Sequence, residues 1–288
     1  MTLSIRLEPP FDFELTLRSH GWIYLKPYLL EIDEPGYQRF DRLSTGNRIQ
    51  YKVVQQADDL IEIQPREALS SPEEFEVISM VRYALRLDED LGEFYELCLK
   101  LRKLKFVATR GLGRLLRGTT LFEDLVKTLC TTNTTWQHTI TMVSNLVEQI
   151  GDGCFPNAGD ILKFGKKNLE NRLKLGYRAQ YLWELCERLE SKDIDLDPGK
   201  LKKMPGPEAA KIIKSLKGFG DYAVNHSLLM IGHYDSIPID SLVRQHCKDK
   251  FNIKSVTKKQ IDKRYARWGK WQALAYQFER IGERFNQC

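Results

Sequence analysis

Between residues 12 and 64 short apolar runs, FELTL, YLLEI, IQYKVV and LIEIQ, are separated by the turn-prone pieces SHG, EPG, STGN and ADD. Apolar alternation closed by Gly, Pro, Asn and Ser predicts a small antiparallel β unit. From SPEEFEVISMVRYAL onward the period changes, with Phe75, Ile78, Val81, Tyr83 and Leu85 opening long stretches in which apolar residues recur every three or four positions. That spacing lines one face of a helix, so the rest of the chain is expected to be almost wholly helical. Ser71-Pro72-Glu73-Glu74 has the cap, first-turn proline and early acids of a helix start. The expected class is α+β and mainly α, with an N-terminal antiparallel β domain over 1–70 and a helical domain over 71–288. Later breaks fall at GDGCFPNAGD, LDPGK and MPGPEAA.

One helical stretch, PEAAKIIKSLKGFGDYAVNHSLLMIGHYDSIPIDSLVRQH, carries more than a packing pattern. Pro207 can begin a first helix whose Ala210, Ile213 and Leu216 share a face; Gly218 and Gly220 permit positive φ, and Asp221 can start a second helix running to about Ile231. The result is a helical hairpin over about 207–231. A glycine turn feeding a helix N-terminus points backbone N–H groups one way, where orphan donors and the helix dipole favour a phosphate oxygen. Lys217 adds a mobile positive charge there. KGFG alone is equally what any two antiparallel helices need in order to reverse. Some 20 residues on, Ile237-Pro238-Ile239-Asp240 is an extended X-Pro segment placing a carboxylate at the mouth of the helix SLVRQHC. Taken singly, Asp240 is an ordinary helix cap.

The charge balance adds a direction. Overall the chain of 288 residues carries +5, but residues 201–288 hold 17 Lys and Arg against 8 Asp and Glu, leaving residues 1–200 at −4. The last third is therefore the expected face for a polyanion, although such an excess is also what a solvated surface looks like. No segment approaches the roughly 20 apolar residues of a membrane-spanning helix, and the start MTLSIRLEPP lacks the layout of a secretory signal. An intracellular protein is expected, in cytoplasm and nucleoid or, in a eukaryote, the nucleus. The six cysteines at 98, 130, 154, 186, 247 and 288 show neither a CxxC pair nor zinc-ligand spacing, so reduced, mostly buried thiols and no metal site are expected.

Glycine hairpin and Pro-Ile-Asp together, at this spacing, resemble the signature of the helix-hairpin-helix (HhH-GPD) DNA glycosylases. The likeness extends further: LFEDLVKTLCTTNTTWQHTITMVSNL is similar to the helix opening the core of the 8-oxoguanine and alkylpurine branches, and LGYRAQYLWELC to the Gly-Tyr-Arg-Ala segment of the 8-oxoguanine enzymes. The resemblance implies a two-lobed helical domain, a monomer on double-stranded DNA holding a damaged base, and base excision by hydrolysis of an N-glycosidic bond. It makes Asp240 the catalytic carboxylate, which stabilises positive charge on the sugar and orients or deprotonates water. Lys217, Gly218 and Gly220 become DNA-backbone contacts. By the same likeness Asn133 enters the duplex near the orphaned base, Tyr177 is the wedge aromatic and Arg178 reaches that base. Without it they read as a helix-end asparagine, a core tyrosine and a surface arginine. Tyr222 faces base or sugar or is equally a half-buried helix aromatic, and Trp271, on the aromatic-rich stretch YARWGKWQALAYQFERIG with Phe278 seven residues on, is a base-pocket candidate or a packed core residue.

Departures from the family pattern narrow the reading. Bifunctional members carry a Schiff-base lysine where this chain has Tyr222, so it reads as monofunctional, and Leu242 stands where the 8-oxoguanine enzymes have a histidine. The aromatic at 222 favours the alkylpurine branch, whereas Gly-Tyr-Arg-Ala and Asn133 favour the oxidised-purine branch. With only Cys247 and Cys288 beyond Asp240, no iron–sulfur cluster and no other cofactor are expected, while the family motif allows a structural cation at the hairpin carbonyls. The alternatives are an oxidised-purine glycosylase with lyase activity, for which another amine such as Lys217 would serve, and a non-catalytic DNA-damage binding module.

Overall fold

In the computed structural model, which describes residues 2–31, 34–252 and 256–285, alternation of burial, broken at Val53 and Val54, builds the sheet. Its strands are β1 (Leu3–Arg6), β2 (Tyr28–Leu29), β3 (Tyr37–Arg42), β4 (Arg48–Ala57) and β5 (Leu60–Pro65), all antiparallel in the order β1-β5-β4-β3-β2. Leu3, Ile5, Ile49, Tyr51, Val53, Ile61 and Ile63 share one apolar cluster. The matching inward positions of β3 are Tyr37, Arg39 and Asp41, so a charged pair sits where an aliphatic row would be usual.

The helices are α1 (Phe13–Leu17), α2 (Ser71–Leu85), α3 (Gly92–Leu99), α4 (Lys105–Thr109), α5 (Leu121–Thr131), α6 (Trp136–Gln149), α7 (Ala158–Phe164) and α8 (Lys166–Arg172). They continue as α9 (Arg178–Glu190), α10 (Pro198–Lys203), α11 (Gly206–Lys214), α12 (Asp221–Ile231), α13 (Ser241–Phe251), α14 (Lys258–Tyr265) and α15 (Gln272–Phe285). The α+β, mainly helical class read from the periodicity is the class observed.

Several details differ from the sequence reading. FELTL is helical, because Asp12 caps it by accepting from the Leu15 N–H at 2.9 Å and its buried residues Phe13, Thr16 and Leu17 follow helical spacing. Among the described residues of YLLEI, Tyr28 and Leu29 form β2, and the edge strand β1 lies upstream of the span read as β. Ser70, one residue before the expected cap, starts α2: its N–H and hydroxyl both donate to Glu73, at 3.0 and 2.7 Å. Phe75 is 74% exposed, since α2 turns Val77, Val81, Ala84 and Leu85 inward. At 100° per residue, Phe75 lies roughly 200° around the helix from Val77.

The chain divides into two compact units, Met1–Glu89 with Arg110–Leu196, and Asp90–Thr109 with Asp197–Cys288. In the first unit the sheet does not stand alone: Val77, Val81 and Leu85 of α2 and Leu116 close its apolar cluster. A buried ionic network then ties β3 to α5. Arg39 donates to Asp41 at 2.7 and 2.9 Å, to Glu123 at 2.5 and 3.2 Å and to Thr119 at 3.0 Å, while Lys127 pairs with Glu123 at 2.6 Å. Burial alone would raise the Glu123 carboxyl, but the Arg39 and Lys127 cations outweigh it and hold it down at about 2. The second unit, made of α3, α4 and α10–α15, has an aromatic centre in which Phe94 meets Trp271 at 5.6 Å, Trp268 at 5.9 Å and Phe278 at 6.5 Å between ring centroids.

Among the described residues Cys98, Cys130, Cys154, Cys186 and Cys247 are buried and unpaired, and no group of His, Cys, Asp and Glu is arranged to hold a metal ion. Cys288 lies outside the described residues. No described helix is long and apolar enough to cross a membrane.

Candidate functional site

In the second unit the hairpin forms between α11 and α12. Ala209, Ile213 and Leu216 on one side and Phe219, Ala223 and Val224 on the other are all buried, and α11 packs against α12. The turn closes with Leu216 N–H donating to Ile213 O at 3.1 Å and Phe219 N–H to Leu216 O at 3.2 Å. Gly218 reverses the chain at φ +87°, a conformation that disfavours any side chain. Gly220 does not follow the expectation of positive φ: it caps α12 at φ −72° and ψ −179°, ordinary extended backbone. What Gly220 supplies is room, because a Cβ added there would meet nothing within 4 Å. The first bond of α12 runs from Val224 N–H to Gly220 O at 2.9 Å, so the Gly220 and Asp221 amides precede the helical ladder at its positive end.

Asp221 would repel an anion at that end, but Lys214 donates to it at 2.8 Å and holds its carboxyl below the usual range. Lys217 is exposed in the turn. Tyr222, half-buried on the first turn of α12, has its ring 5.7 Å from that of His226 one turn on. Burial pushes His226 down to about 4, which keeps this imidazole neutral at neutral pH.

A loop of eight residues, 232–239, leads from α12 to Asp240. It is anchored by His233 Nε2 against Leu201 O at 2.8 Å and by the Ala273 N–H donating to Tyr234 O at 2.8 Å. Tyr234 stacks on Trp271 at 5.6 Å, so the aromatic centre supports the loop that carries the carboxylate. Trp271 is 6% exposed and placed as a packed residue, brought to the Asp240 loop through Tyr234. Asp240 is the N-cap of α13: Oδ1 accepts from Val243 N–H at 2.8 Å, and among the described residues no hydrogen bond or ion pair engages Oδ2. One oxygen is thus fixed by the helix and the other is unengaged among the described residues, on a half-buried side chain next to exposed Leu242. α13 is itself pinned from below. The Glu279 carboxyl, raised by burial but lowered more by hydrogen bonds from His246, Lys250 and Tyr265, is held at about 2.

The first unit carries the other three residues singled out in the sequence, and they share one platform. Asn133 is exposed at φ +44°, just past the C-terminus of α5. Tyr177 is 49% exposed at the start of α9, with its ring edge-on to Tyr181 at 5.5 Å. Arg178 is 4% exposed, and its guanidinium is spent on backbone: Nε donates to Leu129 O at 3.2 Å, Nη1 to Leu175 O at 3.4 Å, and Nη2 to Thr132 O and, at 3.4 Å, to Asn133 O. Trp136, 43% exposed on the first turn of α6, drew no notice in the sequence, and neither did His226. Their only signals there are the spacings, three residues after Asn133 and four after Tyr222.

A cavity of about 570 Å³ also opens in the first unit, lined by Asp41, Thr119, Glu123, Phe155 and Asn157 among others, and none of the residues predicted from the sequence lines it.

Residues 126–270 match the model of the HhH-GPD superfamily, base excision DNA repair proteins. No curated protein matches the chain. Among solved structures, 3-methyladenine DNA glycosylase from Archaeoglobus fulgidus is similar, with a TM-score of 0.76 and 19% identity over 98% of this chain and 99% of that one. The apo-form of Clostridium acetobutylicum 8-oxoguanine glycosylase/lyase is similar with a TM-score of 0.73 and 19% identity, over 96% and 95% of the two chains. Its complex with double-stranded DNA containing cytosine opposite 8-oxoguanine gives 0.74 and 19% over 100% and 96%. At these identities the likeness is one of fold.

Proposed function

The chain belongs to the HhH-GPD superfamily of base excision DNA repair proteins and is a DNA N-glycosylase, and we propose that it is monofunctional and removes an alkylated purine from duplex DNA. The observation that carries this reading is Asp240, a carboxylate clamped through Oδ1 by the Val243 N–H with Oδ2 disengaged among the described residues, in the same unit as the glycine hairpin. A carboxylate already fixed in place stabilises the oxocarbenium-like sugar without reorganising as the bond breaks, and orients or deprotonates the attacking water. The hairpin amides of α12 and Lys217 would grip the DNA backbone without reading sequence. Asn133 and Tyr177 would fill the space that the flipped nucleotide leaves.

Two features favour hydrolysis of an alkylated base. The position two residues beyond Gly220 is Tyr222, whose phenol cannot form the imine of a lyase. Its neighbour His226, neutral through burial, adds an aromatic face and no positive charge, which suits a cationic alkylpurine that leaves with little assistance.

The test is base release from duplexes carrying single 3-methyladenine, 7-methylguanine or 8-oxoguanine, with borohydride added in parallel. The reading expects free alkylated base, an abasic strand that breaks only in alkali, and no covalent adduct. Release of 8-oxoguanine with a trapped adduct would assign the chain to the oxidised-purine lyases instead. Tight lesion binding with no release would make it a binding module.

A further inference from the structure

The residue that the family likeness assigns to the orphaned base is committed elsewhere. We propose that Arg178 is a positioning residue, which fixes Asn133 and Tyr177 for insertion into DNA and does not itself read a base; the proposal rests on the glycosylase reading above.

The argument begins at the end of α5. An α-helix leaves its last carbonyls without intrahelical partners, and its C-terminus carries partial negative charge. In α5 the Thr131 and Thr132 hydroxyls take up Thr128 O and Leu129 O locally, Arg178 also donates to Leu129 O, and the Thr139 hydroxyl donates to Cys130 O at 3.0 Å. Just past the helix end Arg178 takes Thr132 O and Asn133 O as well. Arginine's rigid fork of five donors can span several carbonyls at once. Leu129 O and Leu175 O also accept from the Thr132 and Arg178 N–H groups, so turning this 4%-exposed guanidinium outward would chiefly release Thr132 O and Asn133 O, the two carbonyls of the exposed loop.

The same side chain supports both exposed groups. Asn133 sits at φ +44°, a left-handed conformation that is held here by a bond from Arg178 to its own carbonyl. The guanidinium carbon lies 4.6 Å from the centroid of the Tyr177 ring, which gives the ring a cationic backing. Two further bonds tie α6, which follows the Asn133 loop, to the segment before Tyr177: His138 Nε2 meets Lys174 O at 3.1 Å, and Asn145 Nδ2 donates to Leu173 O at 3.1 Å. Asn133 and Tyr177 therefore stand on one braced double loop with Arg178 as its bolt.

The two roles differ in what they do to opposite-base preference. The experiment measures affinity for duplexes containing a tetrahydrofuran abasic analogue opposite each of the four bases, which needs no excision chemistry. Wild type, Arg178→Met, Arg178→Lys, Asn133→Gly and the Met/Gly double variant are compared at a temperature where circular dichroism shows each folded. Asn133→Gly removes the amide and tolerates the left-handed backbone. The positioning role expects Arg178→Met to weaken binding about tenfold, and evenly, against all four opposite bases. It also expects the double variant to bind no more weakly than the weaker single variant, because the arginine acts through the asparagine. Arg178→Lys, which keeps the charge and some of the bonds, recovers part of the affinity. The signal of 2-aminopurine placed opposite the analogue, altered by wild type, is unaltered by Arg178→Met, an effect that mere loss of stability would not produce in a folded protein.

A loss confined to one or two opposite bases, or losses that multiply in the double variant, would overturn the assignment; if Arg178→Met does not fold, Arg178→Lys gives the same two readouts. Wild type that binds the analogue no better than undamaged DNA would overturn the glycosylase reading and this assignment with it. A base-selective loss with lesion binding intact overturns only the assignment.

Discussion

The two glycines of the hairpin have different tasks, and alanine at each separates them. At Gly218 the backbone lies at φ +87°, where an added Cβ costs about 1–2 kcal/mol, so Gly218→Ala should lower the melting temperature by several degrees. Gly220 lies at φ −72° with open space around the missing Cβ. There the loss of a favourable N-cap, up to about 1 kcal/mol, is offset by the lower entropy of the unfolded alanine chain, about 0.4–1 kcal/mol. Gly220→Ala should therefore leave the melting temperature almost unchanged. Its methyl would nevertheless stand where a phosphate approaches the α12 amides, and losing one hydrogen bond to a charged oxygen, about 1.5 kcal/mol, is about tenfold in affinity. Calorimetry gives the first quantity and fluorescence anisotropy on a labelled duplex at fixed salt gives the second. A Gly220→Ala protein that binds DNA as wild type does would refute the hairpin as a phosphate site, and one that unfolds as readily as Gly218→Ala would refute the account of its backbone.

Other consequences follow from buried charge. His226 takes its proton near pH 4 in the folded protein against 6.5 unfolded, so the unfolded chain binds the proton first as pH falls. Stability from this group is complete above pH 6.5 and declines by about 3 kcal/mol towards pH 4; urea titrations at several pH values should show that slope flattened in His226→Leu. Asp124, which accepts from the Trp22 indole at 2.8 Å, behaves oppositely, because burial pushes its carboxyl up to about 6 from a usual 3.8. The folded first unit therefore gains from acid in that window, and Asp124→Asn should remove the gain. Glu123→Ala leaves Arg39 and Lys127 buried without their shared anion and should cost about 3–5 kcal/mol in urea unfolding; a change under about 1 kcal/mol would contradict the network.

The hairpin, the start of α12 and the capping role of Asp240 were legible in the sequence because their causes are local: a proline, a glycine turn and an acid before a helix. FELTL was not, since five residues of alternating polarity fit a strand as well as a short helix, and the cap at Asp12 decides between them. Phe75 misled because its phase on α2 is set by the sheet face that Val77 and Val81 meet. Arg178 was legible as a type and not as a role. Its partners Leu129, Thr132 and Asn133 lie far back along the chain, and only the folded backbone brings their carbonyls to it. The Arg39, Asp41 and Glu123 network, for the same reason, reads in the sequence as scattered polar residues on a strand and a helix.

The most direct test of the central claim is single-turnover release of alkylated purine from duplex DNA by wild type and by Asp240→Asn. The amide keeps an oxygen to accept from Val243 N–H, so the cap of α13 and the fold should survive, while the negative charge that would stabilise the sugar cation is gone. The account predicts a rate lower by at least about a hundredfold with lesion affinity nearly preserved. Equal rates from the two proteins would show that Asp240 only caps a helix, and would remove the carboxylate from the chemistry.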